Sequence, residues 1–401
     1  MNNTYAGSEQ DFSLFDSGMF SATAEKKLID RLLKAPFVDD PRLRMRLASY
    51  VLQEAWERDR IVLQLAKFFF REDFPAGLFA VEREFDFVLG ATGRRGHFVH
   101  QFEVLVFGWA LIDMLFNYDA RVHEAFHFTT KREIFSVWLA TSLVHDFGYP
   151  LQMGSDVMKK FSEWYRALGM SEVADLYTAA QEQYDTKKTE GLKRLASQSW
   201  RESGVRAVVL EGLQEALGFD QPTAEDLLRD IESEKTHGHS AAMLLCARCF
   251  QSWQDRGISA VTPLDMTRLK FSTAAICLHD LSDTLYKYRG KIEFWRNPYA
   301  YVLFLVDNLQ DWSRDLRRNE GWPSYNLVKV EEGDGSLGLS YILTYDKWTP
   351  ELEQKAKDSI EEKSKKLALL ARPDPPLNFR IDVSFRTTSR GQKVEPLAIL
   401  L

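Results

Sequence analysis

Cysteine is scarce in this chain of 401 residues: three occur, Cys246, Cys249 and Cys277. An odd number that small fits a reducing compartment better than a disulfide framework. Histidine is nearly as sparse, with eight. Positive charge is in deficit, the formal net charge being -7 at pH 7. A nucleic-acid partner is therefore unsupported, because counterion release needs a basic surface. The N-terminal "MNNTYAGSEQDFSLFDSG" lacks the basic-then-apolar order of a signal peptide and reads as a loose or docking tail. The longest apolar stretch, "VLVFGWALIDMLF", is interrupted by Asp113 and reads as too short to cross a bilayer. Internal repeats and low-complexity tracts are missing as well. The expectation from these absences is a cytoplasmic protein with no membrane segment.

What the sequence does hold is apolar and aromatic material, 45% and 13% of residues. That is enough for one large core with an appendage, and it excludes disorder as the dominant state. Apolar residues recur at three- and four-residue spacing through most of the chain, which predicts a mainly α fold. The pattern covers "AEKKLIDRLLKA", "DPRLRMRLASYVLQEAWERDRIVLQLAKFFF", "HFVHQFEVLVFGWALIDMLF", "REIFSVWLATSLVHD", "SAAMLLCARCFQSW", "LDMTRLKFSTAAICLHD" and "PYAYVLFLVDNLQDWSRDLRR". After about Trp322 the texture changes. "NLVKVEEGDGSLGLSYILTYD" predicts a hairpin turning at Gly333-Asp334-Gly335, followed by a charged helix and a strand "NFRIDVSF". The expected organisation is a tail over 1–21, a helical domain over 22–321 and a small α+β unit over 322–401.

Four histidines, His100, His145, His237 and His279, fall one each on four helical segments. Asp146 adjoins the second, where "SLVHDFGYP" runs into a Gly and a Pro that should stop the helix. Asp307 sits inside "YVLFLVDNLQ", a run too apolar for a solvated carboxylate. A charge buried there is stabilised only by pairing or by a metal.

The series "HFVHQFEVLVFG", "SLVHDFGYP", "KTHGHSAAMLL", "AAICLHDLSD" and "LFLVDNLQDWSR" resembles the HD superfamily of metal-dependent phosphohydrolases, in its order His, His-Asp, His, His, Asp. The resemblance covers about residues 95 to 318, and its layout is similar to two-metal members such as HD-GYP phosphodiesterases and dinucleotide hydrolases. It implies an HD-type helical bundle in which His100, His145, Asp146 and Asp307 hold one metal, while His237 and His279 join Asp146 around a second. The implied cofactors are one or two divalent ions: iron, manganese, zinc or magnesium. The implied reaction is cleavage of a phosphoester or phosphoanhydride bond by a metal-activated hydroxide, with His145 and Asp146 catalytic. Its substrate class is a nucleotide or other phosphorylated small molecule, such as a cyclic nucleotide, a dinucleotide or a deoxynucleoside triphosphate. Imidazole and carboxylate ligands suit such ions, and a carboxylate with two oxygens can bridge a pair. Substrate contacts are expected from His239, Tyr149, Arg289, Lys291 and Arg296, the last three as cations in "YKYRGKIEFWRNP". Two departures stand out. The 91 positions from Asp146 to His237 imply an inserted helical region over about 153–230, and Gly148-Tyr149 replaces the Gly-Lys of many relatives.

Other readings compete. "HEAFH", residues 123–127, matches the zinc-peptidase pattern of two histidines one helical turn apart. "CARC", Cys246–Cys249, offers a thiolate pair, against the simpler reading of two buried small side chains. The same ligand set on an HD fold also suits a diiron oxygenase. A non-enzymatic nucleotide-binding module, and a homo-oligomer, are compatible with the sequence too.

Overall fold

The structure is a computed structural model that describes residues 17–35, 38, 41–50, 97–128, 130–200, 203–234, 236–255, 262–310, 324–333, 335–344, 349–387 and 393–400. Outside the described residues lie most of the expected tail, the continuation of the second helical pattern over 51–70, Asp334 of the expected turn, and the stretch 311–321 beyond Asp307.

The chain is mainly helical, with a small mixed sheet near its C-terminus. In order, the elements are α1 (Ser17–Lys34), α2 (Pro41–Tyr50), α3 (His97–Tyr118), α4 (Val122–Ala125), α5 (Lys131–Val144), α6 (Tyr149–Ala167), α7 (Ser171–Ala196), β1 (Ser199–Trp200), β2 (Ser203–Gly204), α8 (Val205–Leu217), α9 (Gln221–Glu234), α10 (His237–Asp255), α11 (Pro263–Leu278), α12 (Ser282–Tyr288), α13 (Pro298–Leu309), β3 (Ser324–Gly333), β4 (Ser336–Thr344), α14 (Pro350–Leu367), β5 (Arg380–Thr387) and β6 (Lys393–Leu400).

Local sequence sets the helix starts. Thr130 with Glu133 and Thr262 with Asp265 form reciprocal capping boxes at α5 and α11. At α13 the Asn297 side chain accepts from Ala300 N–H at 2.9 Å. Each such cap satisfies donors the helix itself leaves open, at about 1 kcal/mol. Pro follows the cap in α11, α13 and α14, where its missing N–H is no loss.

Helix α11 lies at the centre, packed against α5, α8, α10 and α13, with α3 reached through α5 and α13. The α3–α5 contact is close. Trp138 is fully buried and its indole N–H donates to Leu105 O at 2.9 Å. Gly108 makes room for it, since a Cβ there would meet Trp138 Cζ2 at 1.9 Å. The apolar stretch read as too short for a bilayer proves longer. It forms the 22-residue α3, of which Val99–Tyr118 is long and apolar enough by length and composition to cross a membrane. That window is 94% buried inside the protein, the state of a central core helix.

Helices α6 and α7 pack on each other as a long hairpin whose base touches α10. They occupy much of the region read as an insertion. At the C-terminal end, β3 and β4 form the expected hairpin, Gly333 opposite Ser336. Two features go beyond the sequence reading. β4 and β5 are parallel, joined through α14 as a crossover, and a fourth strand, β6, pairs antiparallel with β5. Leu337, Leu339, Tyr341 and Leu343 alternate into the core with Ile381, Val383 and Phe385. One continuous apolar cluster runs from α1 through the helices to this sheet.

Candidate metal centre

The site is built where helices end. α5 stops at Val144, the chain turns through residues 145–148, and α6 begins with Pro150 in its first turn. His145 closes α5 in helical conformation, and His279 closes α11 in the same way. His237 opens α10, His100 lies in the first turn of α3, and Asp307 lies in the last turn of α13. Five different helices thus deliver their ends or first turns to one point.

Asp146 is that point. Its carboxylate is 3% exposed as a residue. Oδ1 stands 3.5 Å from His145 Nε2, 3.4 Å from His237 Nε2 and 3.5 Å from His279 Nε2, while Oδ2 stands 3.7 Å from His100 Nε2. Two buried triads share it: His100–His145–Asp146 and Asp146–His237–His279, in each of which the ligand atoms lie within 4.8 Å of one another. Asp307 joins the first, its Oδ1 2.8 Å from His100 Nε2 and 3.8 Å from His145 Nε2. Two ligands each about 2.1 Å from one ion stand at most about 4.2 Å apart, so the Asp146–imidazole distances fit shared coordination.

The other ring nitrogen of each histidine is held from behind. His145 Nδ1 donates to Ser142 O at 2.6 Å, and His279 Nδ1 donates to Ile276 O at 2.5 Å. His100 Nδ1 donates to Gln310 Oε1, whose amide is oriented because its Nε2 donates to Glu103 Oε2. His237 Nδ1 lies 2.8 Å from Asp280 Oδ2 and 2.9 Å from Gln152 Oε1. Acceptors behind Nδ1 place the hydrogen there and turn the Nε2 lone pair inward, as metal-binding imidazoles require. His145 Nε2 is fully buried and makes no hydrogen bond. The carboxylate oxygens it faces, Asp146 Oδ1 at 3.5 Å and Asp307 Oδ1 at 3.8 Å, stand too far for a good hydrogen bond, and a cation between them would satisfy the nitrogen. The residues present therefore fit one or two divalent ions.

Charge is tightly coupled here. Burial pushes the His145 pKa down, but the Asp146 and Asp307 carboxylates outweigh it and hold it above its ordinary value. Burial likewise works against protonation of His237, yet the bonds to Asp146 and Asp280 raise it to about 9. For Asp307 burial acts upward, and His100 and His145 overcome it to hold the carboxyl well below the usual range. The carboxylates thus favour positive charge at this cluster.

Two glycines permit the convergence. A Cβ on Gly148 would meet His237 O at 1.9 Å, and one on Gly238 would meet Ile276 O at 2.6 Å. The turn after Asp146, the start of α10 and the end of α11 close to these distances only because both side chains are missing.

Tyr149 stacks on His237, ring centroids 3.8 Å apart at 20°, so it positions that imidazole. The remaining expected substrate contacts are not brought to the centre. His239 follows His237 by two residues, about 200° around the helix, and turns the opposite way. It is buried near Glu232 and Arg206, its pKa lowered to about 4 chiefly by burial. Arg289 is exposed and caps the far end of the seven-residue α12, which begins only after Asp280, with φ 51°. Lys291 Nζ donates to Ala368 O at the end of α14, and Arg296 pairs with Glu293 at 2.8 Å. Gln310 and Gln152 were not legible as site residues, since neutral amides carry no ligand pattern.

The rival motifs dissolve. α4 covers Val122–Ala125 only, and His127 lies beyond it with φ 55°, so His123 and His127 do not share a helical turn. Their rings instead contact Phe116 and Phe271. Burial raises the Cys246 and Cys277 thiols, and that of Cys249 to about 12, so all three stay protonated. Among the described residues, the groupings with metal-ligand spacing are the two triads.

No family model, curated protein or solved structure matches the chain. The case for the site rests on its geometry.

Proposed function

We propose that the chain is an HD-type metal-dependent phosphohydrolase that cleaves a phosphoester or phosphoanhydride bond in a nucleotide-like substrate. The observation that carries this reading is the convergence of four imidazole Nε2 atoms on the buried Asp146 carboxylate. When bound, divalent ions would acidify a water and offset charge on a phosphoryl group. His100, His145, Asp146 and Asp307 would hold one ion, and Asp146, His237 and His279 a second. Two carboxylates with neutral imidazoles leave a pair of divalent ions with net positive charge, which favours an anionic substrate over a neutral one. Asp280, 27% exposed and bonded to His237, keeps that ring oriented and is more open to solvent than Asp307, at 19%, or the buried Asp146. Three free cysteines, an odd number, suit a reducing, cytoplasmic setting better than a disulfide framework.

The test is to load the protein with manganese or iron and incubate it with mono-, cyclic and dinucleotides and nucleoside triphosphates, identifying products by mass spectrometry. The expected result is a cleaved phosphorus–oxygen bond that disappears in Asp146→Ala. A metal-loaded protein that consumes oxygen with an organic substrate, and cleaves none of these, overturns the hydrolase reading in favour of an oxygenase.

A further inference from the structure

Asp307 stands in the last turn of α13, where a helix has run out of its own hydrogen bonds and tends to fray. Each of the three residues after it is nevertheless tied to a distant element. The Asn308 carbonyl accepts from the Lys363 ammonium on α14 at 2.8 Å. The Leu309 carbonyl accepts from the Tyr341 hydroxyl on β4, also at 2.8 Å. The Gln310 side chain bridges His100 and Glu103 on α3. Tyr341 is 1% exposed and Gln310 fully buried, so the tyrosine and amide bonds are made away from competing water. The lysine also places a positive charge at the negative end of the helix dipole.

From this arrangement we infer that Tyr341 and Lys363 are positioning residues for the metal centre: β4 and α14 clamp the end of α13 and thereby fix the Asp307 carboxylate. The inference rests on the metal-site reading. A ligand must be held to within about 0.5 Å for full affinity, and an unrestrained last turn does not give that. Coupling of this kind is reciprocal, so metal binding must in turn tighten the packing of β4 and α14.

The test uses the full chain and manganese(II) alone, free metal being read by electron paramagnetic resonance. Asp307→Ala sets the reference loss. Tyr341→Phe with Lys363→Met should weaken binding about tenfold, the scale seen when groups behind a ligand are removed, while Lys363→Arg retains wild-type affinity. Added to Asp307→Ala, the pair should cause no further loss, because the carboxylate through which it acts is gone. Wild-type affinity in the Tyr341/Lys363 variant, or an equal extra loss on the Asp307→Ala background, overturns the inference and leaves the metal site standing. A wild-type protein that binds neither manganese, iron(II) nor zinc removes the metal reading itself. Hydrogen exchange on the unsubstituted protein gives an independent check. Manganese should slow exchange in β4 and α14, and unchanged exchange there contradicts the coupling.

Discussion

His145 and His279 stand on different helices, yet each is the residue that ends its helix and each donates Nδ1–H to the carbonyl three residues back, Ser142 at 2.6 Å and Ile276 at 2.5 Å. Their rings meet edge to face, centroids 4.9 Å apart. A helix end has spare carbonyls. By using one of them, each histidine fixes its own ring and aims Nε2 at Asp146 without help from another side chain.

The backbone approach at Gly148 predicts a sharp penalty for the smallest side chain. Gly148→Ala would press a methyl to 1.9 Å from His237 O. Thermal or urea unfolding should show a loss of about 1–3 kcal/mol, as overpacking of a tight contact does. Metal affinity should fall with it. A fully stable, metal-binding variant would show that the turn relaxes and that this contact does not set the site.

The Asp280 carboxylate stands 2.8 Å from His237 Nδ1. Asp280→Ala is expected to lower metal affinity about 10- to 100-fold while circular dichroism stays unchanged. Asp280→Glu, which keeps a carboxylate, should recover part of the loss. Equal affinity in all three proteins would reduce Asp280 to a surface acid.

The pH dependence follows from His237. Its pKa in the folded, metal-free protein is raised from 6.5 to about 9. A raised pKa contributes stability that is full below the ordinary value and is lost as pH climbs through the folded one. Metal-free protein should therefore lose stability between about pH 6.5 and 9, while metal affinity rises over the same window because the ion displaces the proton. Calorimetric titration of metal at pH 7.5 in buffers of different ionisation enthalpy should report proton release. Uptake independent of buffer would exclude a protonated His237 in the metal-free state.

The cysteines give a cheap control. Cys246 and Cys277 are buried with raised thiol pKa values, so a disulfide reagent at pH 8 should leave both unmodified until the protein unfolds. Rapid modification of the native protein, or its suppression by zinc, would revive the thiolate site.

The candidate ligand residues were legible in the sequence because each combines a rare residue type with an apolar helical segment: a carboxylate inside "YVLFLVDNLQ" calls for a partner wherever the chain goes. The amides and backbone acceptors behind them were not. Gln310 and Gln152 are ordinary polar residues until the fold places them behind His100 and His237, and backbone acceptors such as Ser142 O have no sequence signature at all. The direction of His239 was open to reasoning, since two residues along a helix reverse the face. Lys291 and Arg296 were read by charge alone, and the structure uses one to cap α14 and the other to pair with Glu293. The mainly helical fold followed from periodicity. Parallel pairing of β4 with β5 did not, because nothing local in "NFRIDVSF" says which neighbour it takes.

The central claim is that Asp146 is the shared ligand of the site. Its most direct test is the metal content of Asp146→Ala against wild type and His237→Ala, each reconstituted with manganese or iron and measured by elemental mass spectrometry after dialysis. The account predicts that wild type retains one or two equivalents, that His237→Ala keeps no more than the His100–His145–Asp307 ion, and that Asp146→Ala retains none while remaining folded. Wild-type metal content in Asp146→Ala would contradict it.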